Sequence, residues 1–172
     1  MVGDKLVACL GHGPADKAAT LHGMTDHPKA KGDRTTLAVM LRLHEAGFAV
    51  SVPFGENTRY DLIIDDGTSR ARVQCKTGRL RLGGIRCATC SSYAHHPNPR
   101  MVQRNYIGEI DYFAVYCPET AGVYLIPIAE AQLKRMGILR VEPARNNQRR
   151  FIRLASDYQI GRIEIDPTVT GL

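Results

Sequence analysis

The segment Tyr60–Thr77 constrains the fold of this chain more than any other. It reads YDLIID, then the tight-turn sequence DDGT, then SRARVQCKT, in which apolar and polar side chains alternate. Two short runs of strand-forming residues joined through Asp and Gly specify a β-hairpin. Upstream, Asp33 is placed to cap a helix running to about Ala46, with Gly47 as its stop. Leu37, Met40, Leu41 and His44 fall on one stripe of that helix, widened by Leu43 and Ala46 toward Val39. FAVSVPF alternates around Val50 and Val52 as a strand, and the loop GENTR leads from it into the hairpin. Downstream, DYFAVYC and VYLIPI read as strands joined by a turn at PETAG, and Ala129–Met136 as a short helix. A helix followed by several strands predicts an α/β (α+β) domain built on a mixed β-sheet flanked by helices.

The 172 residues are room for one domain with one core. We expect an N-terminal extension over residues 1–30, containing a short helix near Pro14–Leu21, then the domain over 31–165 and a tail over 166–172. With 44% apolar and 23% charged residues the chain is not wholly disordered. It has no run of about eighteen apolar residues that could span a membrane. Its N-terminal apolar run is too short for a signal peptide, so an intracellular, cytoplasmic protein is expected, nucleoid-associated in a prokaryote. The net charge of +6 suits a nucleic-acid partner without demanding one. Five cysteines, at 9, 75, 87, 90 and 117, read as reduced thiols or metal ligands.

Asp61 opens one strand of the hairpin, and Gln74 and Lys76 lie near the end of the other. Residues two apart on a strand point to the same face, so Gln74 and Lys76 project together and the pairing can bring Asp61 beside them. A carboxylate and an amide oxygen can hold a divalent metal, and an ammonium nearby can orient an attacking water. That set suits phosphodiester hydrolysis. The bland alternative is a hairpin whose polar strand ends are simply solvated.

The stretch from KGDRTT through AGFAVSVPFGENTRYDLIID to RVQCKTGRL resembles the PD-(D/E)XK nuclease superfamily. It is most similar to the small group of intron-encoded homing endonucleases in which Gln replaces the usual second acid. TCSSYAHHPNPR, EIDYFAVYCPET, VYLIPI and RNNQRRFIRLASDYQI extend the likeness over about residues 31–162. The resemblance implies a restriction-endonuclease-like core and a metal-dependent DNA endonuclease of homing or restriction type. Asp61, Gln74 and Lys76 would be catalytic, and Asp61, Gln74 and the backbone carbonyl of Cys75 would hold Mg²⁺, or Mn²⁺ in its place. A duplex has two strands to cut, so double-stranded DNA and a homo-oligomer, dimer or tetramer, are the implied partners. The chain departs from the family where KGDxxE would place a helix Glu, because Thr36 stands there. A hydroxyl is a poor ligand for a hard cation and no base. Either the site is impaired, leaving a DNA-binding homologue, or another acid such as Asp33 or Glu56 replaces the Glu. A Holliday-junction-resolvase-like nuclease would share the same core.

From Arg70 to Arg104 there are eight Lys or Arg and no acid. Arg79, Arg81, Arg86, Arg100 and Arg104 offer phosphate contacts, as do Arg149 and Arg150 further on. Cys87, Cys90 and His95 have the spacing of an incomplete zinc knuckle, with Arg100 where a fourth ligand would stand. No phosphate-cradling GxxxxGK[ST], GxSxG or HExxH pattern is present, which removes those reaction classes.

Overall fold

The computed structural model describes residues 27–55, 57–95, 98–131, 136–143 and 152–161, and only the backbone of 92–95 and 98–102. One helix, α1 (Pro28–Glu45), leads into a five-stranded mixed sheet. The strands are β1 (Ala49–Ser51), β2 (Leu62–Asp65), β3 (Arg70–Thr77), β8 (Tyr112–Cys117) and β9 (Gly122–Pro127), hydrogen-bonded in that order. All neighbours run antiparallel except β3 and β8, which are parallel. A second sheet of β4 (Arg79–Arg81), β5 (Gly84–Ala88) and β10 (Met136–Arg140), in the order β10-β5-β4, covers one face of the first. β6 (Ser91–His95) and β7 (Asn98–Arg104) form a separate ribbon.

The expected β2–β3 hairpin is present, and its turn is held by local chemistry. Asp66 Oδ1 accepts from the Thr68 hydroxyl and from the backbone N–H of Ser69 and of Thr68, which holds its carboxyl well below the usual carboxylate range. Gly67 takes the left-handed conformation between them, with φ +88°. Alternation along β8 then builds two cores. Phe113, Val115 and Cys117 pack with Ile85, Cys87 and Leu139 of the second sheet, while Ala114 faces Val39 and Leu43 of α1. The main sheet is thus filled on both faces, as a central parallel pair requires.

Three expectations are corrected. The helix begins at Pro28 with His27 Nδ1 accepting from Lys29 N, so Asp33 lies inside it and caps nothing. Proline is favoured at a first helical position because its missing N–H would lack a partner there, and this signal outweighs the later Asp. The helix stripe is also rotated: Thr35, Val39 and Leu43 are buried, whereas Leu37 and Leu41 are 66% and 61% exposed. Ala129–Met136 is no single helix, since Pro127–Ala131 forms a turn and Met136 opens β10; residues 132–135 lie outside the described residues. Gly47 ends the helix as expected, with φ +88° and its N–H donated to His44 O. Among the described residues α1 is the only α-helix, and the face opposite it is covered by strands instead of helices. The proposed helix at Pro14–Leu21 and the tail lie outside the described residues.

The stretch Arg79–Arg104, basic and rich in Gly, folds as four strands, β4 to β7. Gly78 lets it leave β3 tightly. A Cβ there would meet Ile85 Cγ2 at 2.8 Å and Val115 Cγ1 at 2.9 Å, and its N–H is donated to Tyr116 O. The β4–β5 turn holds only Leu82 and Gly83, at φ +51° and +70°. That is a type I′ geometry, which a leucine occupies at a cost on the order of 1 kcal/mol.

Candidate active site

The site lies where β2 gives out and β3 continues. Asp61 N–H is still donated to Val73 O, but β2 pairs no further along that side of β3. The next free N–H of β3, that of Cys75, is instead taken by the Asp61 carboxylate, with Cys75 N donating to Oδ2 at 2.7 Å. Gln74 Nε2 donates to the same oxygen at 2.5 Å and to Cys75 O at 3.3 Å. Asp61 and Gln74 are therefore brought together as the sequence suggested. Burial raises the Asp61 pKa above the ordinary carboxyl value, opposed by the Cys75 N–H, the Lys76 charge and the Gln74 amide.

Lys76 lies two residues beyond Gln74 on the same face. Its Nζ donates to Tyr106 Oη at 2.9 Å and sits 4.7 Å from the centre of that ring. Tyr106 is buried and packs edge-on against Phe113, with ring centres 5.5 Å apart. The Arg59 guanidinium lies 4.3 Å from the same ring and is anchored on Glu109, Ser91 Oγ and Asn105 O. Sequence reading missed Tyr106 and Arg59. Tyr106 is thirty residues past Lys76, and Arg59, though it immediately precedes the hairpin, is brought to Lys76 only by its stacking on the Tyr106 ring.

Thr36 occupies the helix position opposite β3. Its hydroxyl donates to Gly32 O at 3.2 Å and lies against the Cys75 thiol. One residue earlier, buried Thr35 shares a 2.7 Å hydrogen bond with Thr77 Oγ1, joining α1 to β3. Asp33 is exposed one turn before Thr36, and Glu56 lies outside the described residues. No group of three His, Cys, Asp or Glu among the described residues could hold a metal by itself.

The donor set nevertheless suits a cation. Asp61 Oδ2 and Cys75 O converge on one point, and the Gln74 amide N–H₂ now satisfies both. Two oxygens aimed at one positive group form an arrangement that a divalent ion can take over, and rotating the amide would add Gln74 Oε1. Cys75 would contribute its carbonyl only. Burial and the Asp61 charge push its thiol pKa up to about 12. Cys87 is likewise buried, packed in the core cluster with Ile85, Phe113 and Leu139, and burial raises its thiol to about 11. His95 is described by its backbone alone.

Of the residues read as DNA contacts, Arg79, Arg81 and Arg86 lie on β4 and β5. Arg104 is ion-paired with Glu109 beside Arg59. The side chain of Arg100 and all of Arg149 and Arg150 lie outside the described residues.

A mixed sheet carrying an acidic residue and a Gln-x-Lys pair where a hairpin opens, with a helix packed behind, defines a restriction-endonuclease-like domain. Residues 26–161 match the PD-(D/E)XK endonuclease family, and the chain belongs to it. That membership makes it a DNA nuclease by family. The fold is similar to that of a bacterial homing endonuclease, I-Ssp6803I, at a TM-score of 0.60 and 22% identity, over 77% of this chain and 88% of that one. A weaker likeness, TM-score 0.39 and 15% identity over 64% of this chain and 84% of the other, is to Hjc, a Holliday junction resolvase from Archaeoglobus fulgidus. No curated protein matches the sequence.

Proposed function

We propose that the chain is a divalent-metal-dependent endonuclease that cuts double-stranded DNA, of homing or restriction type, by direct attack of water on a phosphodiester. The observation that carries this reading is the convergence of Asp61 Oδ2, the Gln74 amide and Cys75 O beside the Lys76 ammonium. Asp61, Gln74 and the Cys75 carbonyl would hold Mg²⁺ or Mn²⁺. Such an ion, when bound, lowers the pKa of a water and offsets charge gathering on the phosphate. Lys76, held from one side by Tyr106, keeps further N–H donors free to orient the nucleophile or the phosphate oxygens. Arg79, Arg81 and Arg86 supply phosphate contacts, with Arg100, Arg104, Arg149 and Arg150 as further candidates from the sequence. Because one such site cuts one strand, cleavage of both strands calls for a homodimer or tetramer.

Thr36 supports a second reading, a DNA-binding homologue with impaired catalysis, because its hydroxyl is engaged with Gly32 O and brings no negative charge. Supercoiled plasmid incubated with the full chain in Mg²⁺, in Mn²⁺ and in EDTA separates the two, with a four-way junction as second substrate. Nicked or linear product in either metal and none in EDTA is expected. Salt-sensitive binding with the plasmid left intact in both metals would favour the binding homologue.

A further inference from the structure

The β4–β5 hairpin presents a charged face that serves neither core. Arg79 and Arg81, two residues apart, point the same way, and Arg79 stands directly across from Arg86. Ile85 and Cys87 are buried, so Arg86 between them faces outward. β10 adds Arg140, level with Gly84 on that face, and an open groove of about 280 Å³ is lined in part by Arg81, Arg86 and Arg140. The nearest acid paired with this set is Glu119, at 4.0 Å from Arg79. Arg86 Nε is buried with no hydrogen-bond partner among the described residues.

Leu82 stands at the tip of this basic hairpin. It is 93% exposed, holds a left-handed backbone at φ +51°, and contributes to no core cluster. A Gly or Asn would fill that turn without the strain, so the leucine has a backbone cost and no core packing in return among the described residues. An apolar side chain flanked by arginines fits one partner chemistry well. Duplex DNA offers phosphates for the arginines and an apolar base stack for the tip. A two-stranded ribbon also fits a DNA groove.

We propose that the β4–β5 hairpin enters the duplex with Arg79, Arg81, Arg86 and Arg140 on its phosphates and Leu82 pressed into the base stack as a wedge. The proposal rests on the nuclease reading, which supplies the partner. Leu82 lies six residues past Lys76, so the distortion falls within about 20 Å of the site along even a fully extended chain.

The chain has no tryptophan, which makes Leu82→Trp a unique reporter. The full chain carrying Leu82→Trp is titrated at low salt with a labelled random-sequence duplex, binding being followed by anisotropy. Leu41→Trp, exposed on α1 across the main sheet, serves as control. Quenching and a blue shift at saturation are expected for Leu82→Trp and not for Leu41→Trp. Leu82→Asn restores the Asn-Gly pair that a type I′ turn prefers, so it should raise the melting temperature while weakening duplex affinity about ten-fold. A Leu82→Trp emission unchanged at saturation, or a Leu82→Asn chain that binds as tightly as its parent, overturns the wedge and leaves the nuclease reading standing. Absence of duplex binding by every form, parent included, removes both.

Discussion

Asp61 holds the site together and is also its least comfortable residue. Burial raises its pKa, so the native state keeps the proton to a higher pH than the unfolded chain does. Native Asp61 therefore binds more protons than unfolded Asp61 between the ordinary value and the raised one, and its contribution to stability falls as pH rises through that window. Asp61→Asn should accordingly melt at or above the parent at pH 7, lose that advantage below about pH 4, and cut no DNA. Melting curves at the two pH values check it; a lower melting temperature at pH 7 would show that the carboxylate is a net structural asset. At Lys76, Tyr106→Phe removes the hydrogen bond to Nζ but keeps the ring. Cleavage should fall about ten-fold with a changed pH profile, whereas an unaltered profile would mean that Tyr106 only packs. Asp61, Gln74 and Lys76 were legible in the sequence because a hairpin with period two fixes which side chains share a face. Tyr106 was not, since its place beside Lys76 depends on a turn thirty residues later.

At the scale of elements, α1 shows where sequence pattern misleads. Leu37 and Leu41 look like a core stripe, yet the side facing β3 is Thr35, Val39 and Leu43, fixed by the Thr35–Thr77 hydrogen bond and the narrow Ala114 opposite. Periodicity reports that a helix has faces; it does not say which of two half-apolar faces the sheet accepts. Leu43→Ala should cost about 3 kcal/mol and Leu41→Ala under about 0.5 kcal/mol, read from denaturant melts. Equal costs would mean that α1 is rotated from the position described. Gly78→Ala drives a Cβ into Ile85 and Val115, both β-branched and stiff, and should destabilise by about 1–3 kcal/mol while displacing the hairpin that carries Arg79 and Arg81. The sequence marked that region only as basic and turn-rich. Its strands are short, and their pairing with β10, some fifty residues away, leaves no local trace.

For the whole molecule, one helix and a small second sheet among the described residues hold the main sheet from either side, and Asp61, Gln74 and Lys76 stay half-buried where the hairpin opens. The succession of the principal strands along the chain was legible from the alternating runs, whereas the parallel pairing of β3 with β8 was not. The covering of one face by β4, β5 and β10 was not, because Ile85, Cys87 and Leu139 are single inward residues among arginines and glycines. The account as a whole stands on metal-dependent cleavage by this site, and it is tested most directly by assaying the native chain, Thr36→Glu and Lys76→Ala side by side on supercoiled plasmid in Mn²⁺. Thr36→Glu places a carboxylate beside Cys75 and should speed cleavage, the native chain should nick slowly, and Lys76→Ala should bind DNA yet leave it intact. Cleavage that survives Lys76→Ala unchanged, or its absence from both the native chain and Thr36→Glu, would contradict the account.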